Sequence, residues 1–313
     1  MEFQLSVPVI PSDVKIDFSD KLCFLGSCFS AEIGERSVNL GMHSISNPFG
    51  TIFHPIPLAR LLNNSILGIQ SSELLIHNKR VYDWDSAHVF FSSTKEAHQL
   101  KIKEYQNLIK EQLQGSSWLF ITFGTAIGYR LKSSNFIVSN CHKQNQSLFD
   151  KELISIDEMY DHWGEFLKNL YQFNPSINVV FTVSPVRHVK DGLIKNNQSK
   201  SRLFLLLDKL KENFPVAYFP AYEILIDALR DYRFYKKDLV HPNEQAIDFV
   251  WSHFIKTYYS DANTELLKRI TKLKAAESHQ EISGDPIEVG KLKNWIKTEK
   301  NKLKKEIGDS INL

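Results

Sequence analysis

Short apolar runs alternate with longer amphipathic stretches along most of this chain, and this alternation limits its fold more than any other feature. The runs cover residues 22–25, 118–123, 178–183 and 216–219, and each is followed directly by Gly, Pro or Ser-Pro. Consecutive apolar side chains are typical of strands buried on both faces, as in a parallel sheet covered by helices. The sequence therefore predicts an α/β fold with a mainly parallel sheet.

The intervening stretches predict helices over residues 29–39, 97–112, 156–171 and 199–213, with a closing helix over 243–258. Residues 1–260 form one predicted domain, and residues 261–313 a charged helical extension. The extension reads as helices over 264–278 and 287–307, with a break at Ser283-Gly284-Asp285-Pro286. Its 11 Lys and Arg against 9 Asp and Glu account for the whole net charge of +2. We expect this tail to pack on its own domain or to mediate self-association.

Composition excludes several classes of protein. With 42% hydrophobic residues and 38 basic against 36 acidic side chains, the chain is neither disordered nor a strongly basic nucleic-acid binder. No apolar run approaches the roughly 20 residues of a membrane span, and residues 1–14 lack a secretory signal pattern. Cys23, Cys28 and Cys141 cannot form a disulfide framework. We expect a reduced, cytoplasmic globular protein with no nucleic-acid or membrane partner and no cofactor.

The turn after the first apolar run contains a candidate nucleophile. In open α/β sheets, ligands bind at the carboxyl ends of the strands. Ser27 follows the first strand and begins a helix, where its hydroxyl would be exposed beside free N–H groups. Serine is also a favoured N-cap, so a purely structural role is an open alternative. The adjacent Cys28 would be a stronger nucleophile, but a cysteine just inside a helix is more often a core residue.

A candidate base lies in Asp238-Leu239-Val240-His241-Pro242, ahead of the closing helix. Asp238 can bind one imidazole nitrogen of His241 and leave the other to accept a proton from a serine. A solvated local pair is the alternative.

Other turns at the same predicted edge offer polar groups. Asn47 or Gly50 would complete an oxyanion hole, and Gly124-Thr125 offers an N–H or a hydroxyl. Arg187 and His188 would bind an anionic or polyhydroxylated substrate. Each of these turns also has a plain explanation in turn chemistry.

Taken together, these motifs resemble a family signature. Gly26-Ser27-Cys28-Phe29-Ser30 resembles the motif that names the GSCFA family, with serine replacing the final alanine. The resemblance covers about residues 20–260. Its further blocks are Asn47-Pro48-Phe49-Gly50 with His54-Pro55, Asp85-Ser86-Ala87-His88, Phe123-Gly124-Thr125-Ala126, Ser139-Asn140-Cys141-His142-Lys143, residues 182–192, and residues 229–242.

The GSCFA family is in turn similar to the SGNH (GDSL-like) hydrolases, which implies a flavodoxin-like three-layer α/β/α sandwich. By that similarity Ser27 is the nucleophile, with Asp238 and His241 completing a triad. The turn Gly124-Thr125-Ala126 lacks the asparagine that the SGNH group usually carries in a Gly-x-Asn-Asp turn. The oxyanion donors are then expected among the N–H groups of Ser27 and Cys28, together with Asn47, Gly50, Gly124, Thr125 and Asn140.

The resemblance implies a serine ester hydrolase acting on a small-molecule or carbohydrate ester, for example an acetylated sugar. An acyltransferase using the same site and a non-catalytic binding module are the alternatives. The expected pocket wall comprises Asp85, His88, Asn140, His142, Arg187 and His188. A metal site formed by His54, His88, His142 and His188 fits no compact zinc spacing, so no metal is predicted.

Overall fold

A five-stranded parallel sheet lies at the centre of the fold. The computed structural model describes residues 5–70, 73–279 and 286–308. In chain order the strands are β1 (Lys21–Gly26), β2 (His43–Ser46), β3 (Leu74–His77), β4 (Arg80–Asp83), β5 (Trp118–Phe123), β6 (Ile127–Leu131), β7 (Phe136–Val138), β8 (Phe149–Leu153), β9 (Asn178–Val183) and β10 (Val216–Tyr218). The central sheet has the order β10-β9-β5-β1-β2, and each neighbouring pair is parallel.

Helices cover both faces of this sheet. They are α1 (Cys28–Asn39), α2 (Pro55–Leu67), α3 (Lys95–Gly115), α4 (Ile156–Phe173), α5 (Gly192–Asn213), the short α6 (Ala221–Glu223) with a π-helical turn (Ile224–Ala228), α7 (Glu244–Tyr258), α8 (Asp261–His279) and α9 (Pro286–Ile307). The predicted α/β fold with a parallel sheet and C-terminal helices is confirmed. Within the described part of the chain, every helix is too short or too polar to cross a bilayer.

Side chains of β5 alternate between two apolar cores. Leu119, Ile121 and Phe123 pack in the core formed with α2, α3, α4 and α5. Trp118 and Phe120 pack in the core formed with α1, α7, α8 and α9. Successive side chains of a strand point to opposite faces, so a run that is apolar at every position supplies both cores.

The C-terminal helices contribute to the second core. Leu267, Ile270 and Leu273 of α8 and Leu303 of α9 are buried in the same cluster as Phe24. Ion pairs also link the two helices, with Arg269 bound to Glu299 and Glu306. The predicted break at residues 283–285 lies outside the described residues, and α9 begins at Pro286. The division into domains at residue 260 stays a prediction.

Several elements were not predicted from the sequence. They are helix α2, the β3–β4 hairpin and a second sheet of order β7-β6-β8. Helix α2 was missed because prolines at 55 and 57 usually indicate the end of a helix. They are tolerated here because they lie in the first turn, where the N–H groups need no helical partner. Helix α5 begins at Gly192, ahead of the predicted start at 199.

Candidate active site

A cavity of about 370 Å³ opens at the carboxyl ends of β1, β5 and β9. The turns after these strands form its floor, and the β6–β7 sheet forms one wall. Its lining comprises Cys28, Phe53, His54, Gly124, Thr125, Ile127, Gly128, Tyr129, Val138, Ser139, Asn140, Cys141, Ser184, Val186, Arg187, His188, Val240 and His241. This volume is in the range of small-molecule sites.

The turn between β1 and α1 has a fixed backbone. Gly26 has φ +122°, a backbone conformation that residues other than glycine rarely adopt. A Cβ on Gly26 would lie 2.9 Å from the carbonyl carbon of Thr122 and closer still to its oxygen. The N–H of Ser27 donates to the same carbonyl oxygen at 3.0 Å. These contacts hold the start of α1 against the end of β5.

Ser27 and Cys28 have different environments. Ser27 is 1% exposed, and its Oγ accepts a hydrogen bond from the N–H of Phe29 at 3.3 Å, so it acts as the N-cap of α1. The expected exposure of the Ser27 hydroxyl is therefore not found, because capping turns it toward the helix. Ser27 does not line the cavity, whereas Cys28 does. Within the described residues, no hydrogen bond joins Ser27 to His241.

The structure brings Asp238 and His241 together. Asp238 Oδ2 lies 2.7 Å from His241 Nδ1, and Oδ1 accepts the N–H groups of Val240 and His241 at 2.9 and 3.0 Å. The His241 N–H, the Val240 N–H and the imidazole, in that order, lower the pKa of Asp238 to about 2. An ionised carboxylate on Nδ1 favours the tautomer that leaves Nε2 free of its proton. His241 is part of the cavity wall.

Most of the predicted oxyanion donors are already hydrogen bonded. The side chain of Asn47 braces the Gly26-Ser27 turn, since Oδ1 accepts the Gly26 N–H at 2.8 Å and Nδ2 approaches the Ser27 carbonyl at 3.4 Å. The Gly50 N–H donates to the carbonyl of Asn47 at 2.8 Å. Asn47 and Gly50 therefore lie behind the turn and do not line the cavity.

Gly124 and Thr125 line the cavity, but both of their N–H groups donate to the carbonyl of Phe53, at 2.8 and 3.1 Å. Asn140 is the predicted amide that does reach the cavity wall. Its Oδ1 accepts the N–H of His142 at 2.8 Å. No hydrogen bond of its Nδ2 is present among the described residues, so this group can donate to a ligand.

Arg187 and His188 both line the cavity. Arg187 lies over the rings of Tyr232 and Tyr235, with its guanidinium carbon 5.7 and 5.3 Å from their centroids. His188 Nε2 is 3.3 Å from a carboxylate oxygen of Asp191. Burial lowers the pKa of His188, while the charge of Asp191 opposes that shift.

Asp85, His88 and His142 lie outside the cavity lining, which corrects the expectation that they form its wall. Asp85 is buried in an ion pair with Arg60, whose Nε is 2.7 Å from Oδ1. His142 is fully buried beside Tyr82, and its Nε2 lies 2.7 Å from the Asp83 carbonyl oxygen. His88 also stacks on Tyr82, and the centroids of these two rings are 5.2 Å apart. These motif residues support the loops around the site.

The four histidines weighed as metal ligands therefore separate into two places. His54 and His188 line the cavity, and His88 and His142 pack on Tyr82. In the described ranges, no group of three or more His, Cys, Asp or Glu side chains is arranged to hold a metal ion.

Two buried residues, one in the cavity lining and one behind it, were not predicted to belong to the site. His54 is 4% exposed and caps α2 by accepting the Ile56 N–H at Nδ1, at 3.2 Å, while its Nε2 completes no hydrogen bond. Burial lowers the pKa of His54 to about 3, a shift that the nearby Ala126 backbone opposes. A histidine directly before Pro55 could have indicated a capping position.

The second is Lys200, fully buried behind the cavity. Its Nζ donates to the carbonyls of Gly124 and Ser184 at 2.7 and 2.6 Å, so it joins the ends of β5 and β9. Burial lowers the pKa of Lys200 to about 7, with Cys28 acting in the opposite direction.

Comparison with known proteins identifies a family. No match is found among curated proteins. Among solved structures, a carbohydrate esterase family 3 protein from Talaromyces cellulolyticus is similar, with 10% sequence identity and a TM-score of 0.27. That similarity covers 52% of this chain and 66%, just under two thirds, of the other chain. The profile of the GSCFA family matches residues 21–254. The chain therefore belongs to the GSCFA family.

Proposed function

We propose that the cavity is the active site of a hydrolase for small acyl esters, acting through an acyl-enzyme. The observation that carries the proposal is the Asp238–His241 pair, 2.7 Å apart, with His241 on the wall of a cavity at the start of a helix. A carboxylate-oriented imidazole beside a nucleophile is the arrangement that acyl transfer requires.

In this proposal His241 moves the protons. Asp238 keeps a proton on Nδ1, so Nε2 accepts the proton of the nucleophile and later returns it to the leaving alkoxide. The Ser27-Cys28 segment supplies the nucleophile. Ser27 stays a prediction for that role, and its hydroxyl would have to leave its bond to the Phe29 N–H and turn toward the cavity.

Oxyanion stabilisation would come from the helix start and from Asn140. Cys28 is the first residue of α1, and the first N–H groups of a helix have no helical partner. Asn140 adds an amide on the cavity wall. Fixed donors of this kind act on the charge that develops on the carbonyl oxygen.

The lining suggests how an ester would lie. Phe53, Ile127, Val138 and Val186 give part of the wall an apolar surface that suits an acyl group. Arg187 and His188 provide hydrogen-bond donors for the alcohol portion, so a polyhydroxylated alcohol such as a sugar is the proposed leaving group.

The test is an ester-hydrolysis screen with acetylated sugars and 4-nitrophenyl esters of increasing acyl length. We expect His241→Ala to lower kcat/KM by about 10³-fold or more, because no base remains. His253→Ala is the matched control, since His253 lies outside the cavity lining, with Nδ1 bonded to the Phe249 carbonyl at 2.9 Å. Unchanged hydrolysis by the His241 variant would refute the proposal. Ester binding without turnover by the wild type would instead favour a binding module.

A further inference from the structure

We propose that Cys28, rather than Ser27, is the residue that attacks the ester carbonyl. This inference rests on the proposed function and names the nucleophile of the same site. The intermediate would be a thioester on Cys28.

Exposure separates Cys28 from its neighbours. From residue 22 to residue 30, every residue is buried except Cys28, which is partly exposed. Its side chain is in the lining of the cavity that also contains His241. A group that attacks a bound ester must reach the space where the ester lies, and in this segment only Cys28 does so.

Hydrogen bonding separates the two candidates further. The Ser27 Oγ already accepts the Phe29 N–H, and this cap bond stabilises α1. Burial raises the pKa of the Cys28 thiol, and the N–H groups of Cys28 and Phe29 at the helix start oppose that shift. Cys28 is therefore a neutral thiol that needs a base. His241 lines the same cavity, and among the described residues neither Cys28 nor Ser27 is hydrogen bonded to it.

His54 adds a buried polar group to the cavity. Its Nδ1 accepts the Ile56 N–H, so the proton of the neutral ring is on Nε2. That Nε2 is buried and completes no well-formed hydrogen bond, with the Ala126 backbone as its nearby acceptor. Cys28, His241 and His54 all line this one cavity.

The reaction is balanced without a co-reactant other than water. The S–H proton moves to Nε2 of His241 as the S–C bond forms and the carbonyl π electrons move to oxygen. When the C=O bond re-forms, the C–O bond to the alcohol breaks, and the leaving oxygen takes the proton from Nε2. Water then attacks the thioester with His241 as base, and the sulfur leaves as the thiol.

The experiment compares Cys28→Ala with Ser27→Ala in the full chain, using the esters that the wild type hydrolyses. His253→Ala is again the control, because His253 lies outside the cavity lining. We expect Cys28→Ala to reduce kcat/KM by about 10³-fold or more. We expect Ser27→Ala to lose far less activity than Cys28→Ala, since it keeps the attacking thiol, and His253→Ala to stay within about tenfold of the wild type.

A second measurement does not depend on the folding of the variants. Wild-type protein is mixed with 4-nitrophenyl butyrate, quenched in acid and analysed by intact and peptide mass. A butyryl group on Cys28 that neutral hydroxylamine removes supports the inference.

An acyl group on Ser27 that resists neutral hydroxylamine, or full activity of Cys28→Ala while His241→Ala is inactive, overturns the inference and leaves the proposed function intact. Full activity of His241→Ala overturns the proposed function itself.

Discussion

Replacing Gly26 by alanine tests whether the turn after β1 is as tightly constrained as the structure implies. Gly26 has φ +122°, and an added Cβ would meet the backbone of Thr122, 2.9 Å from its carbonyl carbon. Gly68 is the matched control. It also has a positive φ, +70°, but a Cβ there would have nothing within 4 Å.

The expected magnitudes follow from these two environments. At Gly68 the cost is backbone strain alone, about 1 kcal/mol, because alanine enters the left-handed helical region with space around it. At Gly26 the strain is about 1–3 kcal/mol, since φ +122° lies outside that region. Contact with a strand backbone that cannot rotate away adds about 1–3 kcal/mol, as in an overpacked core. We therefore expect Gly26→Ala to lower the free energy of unfolding by about 2–6 kcal/mol.

Urea unfolding followed by far-UV circular dichroism measures both variants against the wild type. The midpoint should fall much further for Gly26→Ala than for Gly68→Ala, with similar slopes. Equal losses in the two variants would refute the reasoning, because they would show that the Thr122 carbonyl does not constrain this turn.

Asp238→Asn should lower kcat/KM by about 10³- to 10⁴-fold, because the amide no longer fixes the tautomer of His241. The free energy of unfolding should change little. Steady-state kinetics at neutral pH tests the loss of activity. Arg60→Met should lower the free energy of unfolding by about 3–5 kcal/mol, since it leaves Asp85 buried and unpaired. Burial already raises the pKa of Asp85, so this loss should shrink in acid, where the carboxyl is neutral; urea unfolding at two pH values measures it. Lys200 has a pKa of about 7 in the folded state and about 10.4 when unfolded. Between these pH values the folded chain binds fewer protons than the unfolded chain. The free energy of unfolding of the wild type should therefore rise with pH relative to that of Lys200→Met, which chemical denaturation at several pH values measures.

Each of these three predictions has a control variant or a result that would contradict it. Lys268→Met removes the exposed pair with Glu265 and should change stability by less than about 1 kcal/mol. Asp231→Asn alters another exposed Asp that accepts a backbone N–H and should leave turnover unchanged. A stability difference between wild type and Lys200→Met that does not change from pH 7 to 10 would contradict the assignment of a lowered pKa.

Long apolar strands could be predicted from the sequence because burial on both faces leaves an uninterrupted run, as in residues 118–123. The short strands β3 and β7 could not, since four or three residues carry too little pattern to distinguish them from a loop. Prolines in the first turn of α2 had the same effect on that helix.

The candidate site was predictable where strand ends determine position. Asp238 and His241 share one turn, and Arg187 and His188 follow β9, so their placement depends on topology. Ser27 and Cys28 could not be separated in this way. They are adjacent in one turn, and which side chain reaches the cavity depends on which one caps the helix. The wall position expected for His142 was wrong, because its burial beside Tyr82 depends on how the loops pack and not on the local sequence.

The burial of Leu303 has a consequence for the order in which the chain folds during synthesis. Among the described residues, the core that β5 shares with α2–α5 has its last buried member at Val216, with Tyr218 and Tyr222 packed against it, so it can close while the rest of the chain is still being made. The opposite core includes Phe24 and Phe120 together with Leu303. That face of the sheet stays incomplete until α9 has left the ribosome, and in the interval a chaperone or a neighbouring nascent chain can bind the exposed side chains.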